Sequence, residues 1–397
     1  MSHDAPIQPY AVSAFNSRGR DLPVKVARDR NEFQRDYTRV LHSRAFRRLQ
    51  GKTQVFPAQL GGVDAAFRTR MSHSFEVEQI ARSICRFLGL NQDLSAVLAI
   101  GHDIGHAPFG HLGQDILDQE FASIGGFEHN HQALRLVDTI ESPYPGAAGL
   151  NLMFETREGL LKHCSPTRAK QLGPVAARHL DGTLPPLEVQ VVDAADQIAY
   201  LYGDLEDALD HGLITPQLLM DELPGFKECW QEVSRVFSAR LPTPAELTNR
   251  QTAEQSRALV SEVWRRMLSA AISDISIHSR ATIERAGVQT LDDVRSCGKP
   301  LVCLSAQQRQ LHRGIRAFSR TRIYDHPEIE QGRQYHAAAL RAMVEGVRAQ
   351  PHAWGLVETS DLDRQICDLV ASQTDTAVLS WYANKNTPAP SRARCPI

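Results

Sequence analysis

His102-Asp103-Ile104-Gly105-His106-Ala107-Pro108-Phe109-Gly110-His111 sets three imidazoles and a carboxylate inside ten residues. Imidazole and carboxylate are what a divalent metal of borderline hardness binds, and what a hydrolase uses to move protons. Only 16 of the 397 residues are histidine, so such a cluster is far denser than composition alone would place here. Upstream, residues 90–104 (LNQDLSAVLAIGHDI) carry apolar side chains at Leu90, Leu94, Val97, Leu98 and Ile100, close to helical spacing. Gly101 and Gly105 bracket the pair and permit close backbone approach, and Pro108 cannot continue a regular helix. The pattern predicts His102 and Asp103 at the C-terminal end of a buried helix, with residues 106–111 in the turn beyond. Adjacent helical residues diverge by about 100°. Both reach one ion only if it lies near the helix end and other elements complete its shell.

Candidates for that shell stand on two further helical patterns. His73 opens an amphipathic run through Phe75, Val77, Ile80, Ile84, Phe87 and Leu88. Asp193, Asp196 and Asp204 punctuate the apolar run VVDAADQIAYLYGD at 191–204. An acid in so apolar a helix is expected to have a partner, because an unpaired buried carboxylate is costly.

The order His73, His102-Asp103, Asp196 resembles the H…HD…D signature of the HD-domain metal-dependent phosphohydrolases. The flanks narrow the likeness. Residues 36–56 (DYTRVLHSRAFRRLQGKTQVF), 102–113 (HDIGHAPFGHLG), 126–130 (GFEHN), 149–152 (GLNL) and 158–163 (EGLLKH) resemble deoxynucleoside triphosphate triphosphohydrolases of the dGTPase type. The likeness is dense from about 28 to 210 and thin beyond. It implies hydrolysis of dNTPs, dGTP among them, to a deoxynucleoside and tripolyphosphate. It also implies a divalent ion, Mn²⁺ or Mg²⁺, held by His73, His102, Asp103 and Asp196. His111, with His106, His129 and Glu128, would serve the leaving group or the phosphates, since imidazole titrates near working pH.

The same resemblance assigns substrate contacts. Arg70 matches a phosphate-binding arginine, and Arg44, Arg48 and Lys52 cluster where a triphosphate needs cations. Gln54 and Val55 match positions at the sugar and base. Tyr200 and Asp204 lie one and two turns beyond Asp196, on its helix face. They match residues that pack under the deoxyribose and bind its 3′-hydroxyl, and a ring against C2′ would exclude a ribose. One position departs from the pattern. Relatives carry an acid three residues after the second turn histidine, and this chain has Gln114 there, followed by Asp115. That acid would orient His111 and raise its pKa, so the residue is expected beside His111, with Asp115 or Glu128 as possible substitutes.

Composition fits a cytoplasmic enzyme: 42% hydrophobic and 23% charged residues make a globular chain long enough for a large core. Seven cysteines without a CxxC pair point to reduced thiols. The start MSHDAPIQPY has no secretory pattern, and no apolar run reaches the roughly 18 residues a membrane helix needs. A net charge of −2 argues against a generally DNA-coated surface, though local basic patches leave single-stranded nucleic acid as a partner. The reading is all-α: an N-terminal extension at 1–27, an HD core at 28–215, a helical C-terminal region at 216–385, and a disordered tail at 386–397. C-terminal helices are expected over 251–275, 306–318, 334–348 and 359–379, after a Thr243-Pro244 helix start. Their region would close the nucleotide site and build a homo-oligomer interface, with Arg316, Arg320, Arg322 and Tyr324 as its reach toward a triphosphate or a neighbouring chain. Two other readings stand: an HD phosphohydrolase for monophosphates or alarmones, and a weakly active regulator binding dNTP or single-stranded nucleic acid.

Overall fold

The computed structural model describes residues 7–25, 29–56, 67–237 and 250–384. The tail at 386–397 and the Thr243-Pro244 helix start lie outside the described residues. The architecture is all-α, and among the described residues the only extended pairing is a single bridge between Thr53 and Thr69.

Three helices form the heart of the site-bearing half: α1 (Glu32–Leu41), α2 (Arg70–Leu88) and α3 (Gln92–Gly101). Each starts on a side-chain cap. Asn31 and Thr69 make capping boxes with Gln34 and Ser72, and the Asn91 side chain accepts from the Asp93 and Leu94 amides. Such caps satisfy amides that have no partner within the helix. Gly89, at φ 70°, ends α2 in the left-handed conformation that glycine adopts without strain. The chain then turns into α3, which is apolar all round and buried from Leu94 to Gly101.

Beyond α3 come α4 (Gly110–Glu120) and the long α5 (Leu187–Asp210), which packs on α2 and α3. Residues 187–192, apolar enough to tempt a strand reading, are the first turns of α5. The N-terminal segment straps this core. Val12 donates its amide to Glu188, and Arg20 pairs with Asp36 and Glu32.

The C-terminal half contributes α6 (Pro224–Phe237), α7 (Arg250–Ala286), α8 (Ala306–Ser319), α9 (Pro327–Ala349), α10 (Leu362–Ala371) and α11 (Asp375–Ala383). The expected helix at 251–275 continues eleven residues further, to Ala286, and the one at 334–348 starts earlier, at Pro327 behind a His326 cap. The run 359–379 is not one helix. Thr374 caps a new one by accepting from the Ala377 amide, so the chain breaks between Ala371 and Asp375. Packing crosses chain order. One apolar cluster runs from Ala11 to Ile329, and a second joins Ala107, Ile116, Leu117 and Phe127 to residues of α9, α10 and α11. The 106–111 turn therefore lies between two cores.

Candidate functional site

Four segments deliver the His–Asp cluster. His73 comes from the first turns of α2, His102 closes α3, Asp103 follows in the turn, and Asp196 projects from the middle of α5. His73, His102 and Asp103 each offer a ligand atom, all within 4.8 Å of one another. Asp196 Oδ1 adds the fourth corner, 3.0 Å from His73 Nε2 and 3.5 Å from His102 Nε2. The Nδ1 of His102 donates to the Ala99 carbonyl at 2.6 Å, which sets the tautomer and turns the lone pair of Nε2 into the cluster. That Nε2 is buried and makes no hydrogen bond. A buried, unpaired ring nitrogen beside two carboxylates and a second imidazole is the donor set of a divalent metal, so these residues fit one.

Charge holds the two carboxylates of the cluster ionised. Burial would raise the carboxyl of Asp103, but His102, Arg70 and His106 keep it well below the usual range. Burial likewise opposes ionisation of Asp196, and Lys162 and His102 overcome it. Lys162, which the sequence reading left without a role, places Nζ 2.8 Å from Asp196 Oδ2 and 3.7 Å from Asp193. Burial works against its charge, yet Asp196 and Asp193 push its pKa up. Its signal in the sequence was the EGLLKH run at 158–163, whose partner on α5 nothing local reveals.

Three further imidazoles stand next to the cluster. The rings of His106 and His129 stack at 4.1 Å, and His111 meets them edge-on at 5.5 and 6.2 Å. His106 Nε2 lies 3.2 Å from Asp103 Oδ1. Burial and the nearby Arg70 hold His106 well below its ordinary pKa, burial lowers His129 to about 3, and partial desolvation with Arg70 lowers His111, although that side chain still reaches solvent.

Gln114 is not the partner of His111 that the spacing led one to expect. Its Oε1 accepts from His129 Nδ1 at 2.6 Å and from the His129 amide at 3.1 Å. The cause is close backbone packing: a Cβ at Gly105 would lie 2.0 Å from the His129 carbonyl, so only glycine lets the helix His129–Arg135 come in this far. Asp115 is exposed. Glu128 spends its carboxylate capping that helix through the Asn130 and His131 amides, with Oε1 3.2 Å from His129 Nδ1.

A cavity of about 500 Å³ opens from this chemistry. Arg70, Gln54, Val55, Tyr200 and Asp204, the residues the resemblance assigned to substrate, all line it. Arg70 is anchored by Nη1 on Asp103 Oδ2 at 2.7 Å. Arg316 of α8 is not part of this wall but braces Tyr200 from behind, its Nε donating to the Tyr200 hydroxyl at 3.1 Å and its Nη2 to Gln197 at 2.7 Å. Tyr324 donates its hydroxyl to Asp204, whose pKa burial raises to about 7. Phe109, Arg333 and His336 also border the cavity and were not singled out from sequence. A second cavity, of about 540 Å³, flanks α5 and contains none of the four metal-type ligands.

Five expected cations are elsewhere. Lys52 is only 2% exposed, and its Nζ is committed to the carbonyls of His106 and Ala371. Burial pulls its pKa down to about 7, so it acts as a buried strut and not as a free phosphate charge. Arg44 is exposed and Arg48 half-buried on the short helix Arg44–Arg48, and neither borders the cavity. Arg322 pairs with Glu222 away from the site, and Arg320 lies outside the cavity wall.

Comparison with known proteins agrees with this geometry. Residues 70–201 match the HD domain, and residues 302–384 match the phosphohydrolase-associated domain. A deoxyguanosinetriphosphate triphosphohydrolase-like protein of Azoarcus sp. (strain BH72) is 43% identical, over 92% of this chain and 93% of its own length. Proteins of the same description from Ralstonia nicotianae and Geobacter sulfurreducens are 40% and 37% identical, over 93% and 94% of this chain. The chain belongs to this HD-domain phosphohydrolase family. HD phosphohydrolases are metal-dependent, in keeping with the cluster at His73, His102 and Asp103. The family's associated domain begins just ahead of α8, so Tyr324 on the cavity wall and Arg316 behind Tyr200 both belong to it. Among the described residues no helix is long and apolar enough to cross a membrane.

Proposed function

We propose that the protein hydrolyses deoxynucleoside triphosphates, dGTP among them, to a deoxynucleoside and tripolyphosphate. The observation that carries this reading is the single cavity that joins the His–Asp cluster to both a cationic wall (Arg70, Lys162) and a sugar-sized wall (Tyr200, Asp204, Tyr324). The names of the relatives support the substrate class.

His73, His102, Asp103 and Asp196 would hold a divalent ion, Mn²⁺ or Mg²⁺. When bound, the ion supplies Lewis-acid polarisation of a phosphoryl oxygen and activation of water. The side chains do the rest. Arg70 binds phosphate oxygens through its N–H donors, Lys162 adds a point charge, and Arg316 braces Tyr200 from behind. Tyr200 packs its ring under the deoxyribose, leaving no room at C2′ for a hydroxyl. Asp204 and Tyr324 bracket the 3′-hydroxyl.

His111 donates a proton to the leaving 5′-oxygen. Partial desolvation and Arg70 lower its pKa in the free protein, and the negative charge of a triphosphate raises it again on binding. Gln114 holds the Nδ1–H tautomer of His129, so its Nε2 is left as an acceptor that can orient water. Glu128 acts through His129 and the cap it makes, without touching substrate.

Incubation with each dNTP and Mn²⁺ or Mg²⁺, followed by separation of tripolyphosphate from pyrophosphate and phosphate, tests the reading. Tripolyphosphate and free deoxynucleoside are expected. Release of pyrophosphate or monophosphate alone would replace this reaction by another HD phosphohydrolase activity.

A further inference from the structure

Phe109 has φ 62°, a left-handed conformation that bulky residues rarely hold, and it sits in the turn between His106 and His111. Its ring lies flat on His336 of α9, centroids 4.4 Å apart. Its amide does not point into the turn. It donates to Asp375 Oδ1 at 2.9 Å, across 266 residues of chain. The other oxygen of Asp375 accepts from the Thr53 amide at 2.9 Å and the Thr53 hydroxyl at 2.7 Å. Asp375 is 4% exposed at the start of α11. A buried carboxylate with three donors is a strong, geometrically specific tie. Lys52 makes a parallel tie between the same elements, joining the His106 carbonyl to the Ala371 carbonyl at the end of α10.

We infer that Asp375 is a positioning residue for the reaction: it holds Phe109 left-handed and thereby sets where His111 points. This rests on the reading under "Proposed function". Of the four metal-type ligands, His73 and Asp196 lie on α2 and α5, His102 closes α3, and Asp103 follows it directly, six residues ahead of Phe109. The turn carrying His106 and His111 is inside the clasp. Without Asp375 the Phe109 amide loses its acceptor, and the backbone relaxes toward the right-handed or extended region that a phenylalanine prefers. The turn then swings His111 out of line while the metal site stays intact.

The test is a double-mutant cycle on the full chain loaded with Mn²⁺: wild type, Asp375→Ala, Phe109→Gly and the double variant, read by kcat and KM for dGTP and by bound metal. Asp375→Ala is expected to lower kcat by about tenfold or more, with KM moving less than about threefold. Bound metal should be unchanged. In the Phe109→Gly background the same substitution should lower kcat by less than about threefold, because glycine adopts positive φ without the clasp. An equal loss in both backgrounds, or loss of metal with Asp375→Ala, overturns the inference. Should Asp375→Ala not fold, Asp375→Asn keeps one acceptor oxygen for Phe109. A kcat between wild type and about one-tenth of it is then expected, and wild-type kcat overturns the idea. If the wild type turns over no dNTP, the proposed reaction has failed on its own. Hydrogen exchange over residues 104–112 then decides: faster exchange confined to that turn in Asp375→Ala supports the clasp, and unchanged or global exchange overturns it.

Discussion

Gln114 Oε1 receives two hydrogen bonds from one residue, His129: one from its ring Nδ1 at 2.6 Å and one from its backbone amide at 3.1 Å. Both donors need an oxygen, so the amide orientation of Gln114 is settled, and with it the tautomer of His129. The ring stays neutral because burial lowers its pKa to about 3 and glutamine adds no opposing charge.

A carboxylate in that place changes the charge and little else. Gln114→Glu is expected to raise the pKa of His129, since an opposite charge favours the protonated ring. It should change kcat by up to about tenfold if the charged contact is worth roughly 1.4 kcal/mol in the transition state. The effect should disappear when His129→Ala is added, because the pair acts as one unit. A pH–rate profile for the three variants checks this. A kcat change that survives His129→Ala would place the effect elsewhere.

The metal cluster predicts its own loss. Asp103→Ala removes one of the proposed ligands and also the anchor of Arg70. The purified variant should carry far less Mn²⁺ than wild type by elemental analysis and should not hydrolyse dGTP. Full metal occupancy would move the site away from His102-Asp103.

Tyr200 separates two effects. Tyr200→Phe keeps the ring but frees the Arg316 Nε that its hydroxyl accepts from. It should raise KM for dGTP while leaving the preference over GTP in place. Tyr200→Ala should narrow that preference. Steady-state kinetics with both nucleotides tells them apart, and a wild type that hydrolyses GTP as fast as dGTP would refute the sugar assignment.

Stability should fall with pH through Glu188. Burial raises its pKa to about 7, although the Asn91 and Val12 amides donate to Oε1, and Oε2 is buried without a partner. A carboxyl whose pKa is raised by folding binds more protons folded than unfolded. Its cost is therefore absent below the unfolded value near 4.5, grows as pH rises, and is complete above about 7. The shift corresponds to about 3 kcal/mol. Denaturant unfolding of Glu188→Gln between pH 5 and 8 should show a flatter pH dependence than wild type, and parallel curves would assign the slope to other groups.

What could be read from the sequence was local. His73, His102, Asp103 and Asp196 each sit in a short segment with strong helical patterning, and an imidazole–carboxylate cluster means much the same in one dimension as in three. What escaped depended on neighbours far along the chain. Helical spacing put Gln114 on the face of His111, but the close approach at Gly105 brought the ring of His129 to it first. Charge alone put Lys52 on a triphosphate, while burial turned it onto two carbonyls. Lys162 was visible as a residue, and its bond to Asp196 was not. The break at Thr374 falls in the polar run 372–376 (SQTDT), which reads equally well as the exposed face of one helix, and a threonine cap looks like any other threonine until the next helix starts.

The distance in sequence between Phe109 and Asp375 also orders events in time. The ribosome finishes the metal ligands with Asp196, yet Asp375 lies 179 residues further on. A growing chain could therefore bind an ion well before its catalytic turn is locked. Such a chain would bind metal without the finished turn, so the hydrolysis proposed above would wait until the helix carrying Asp375 has docked.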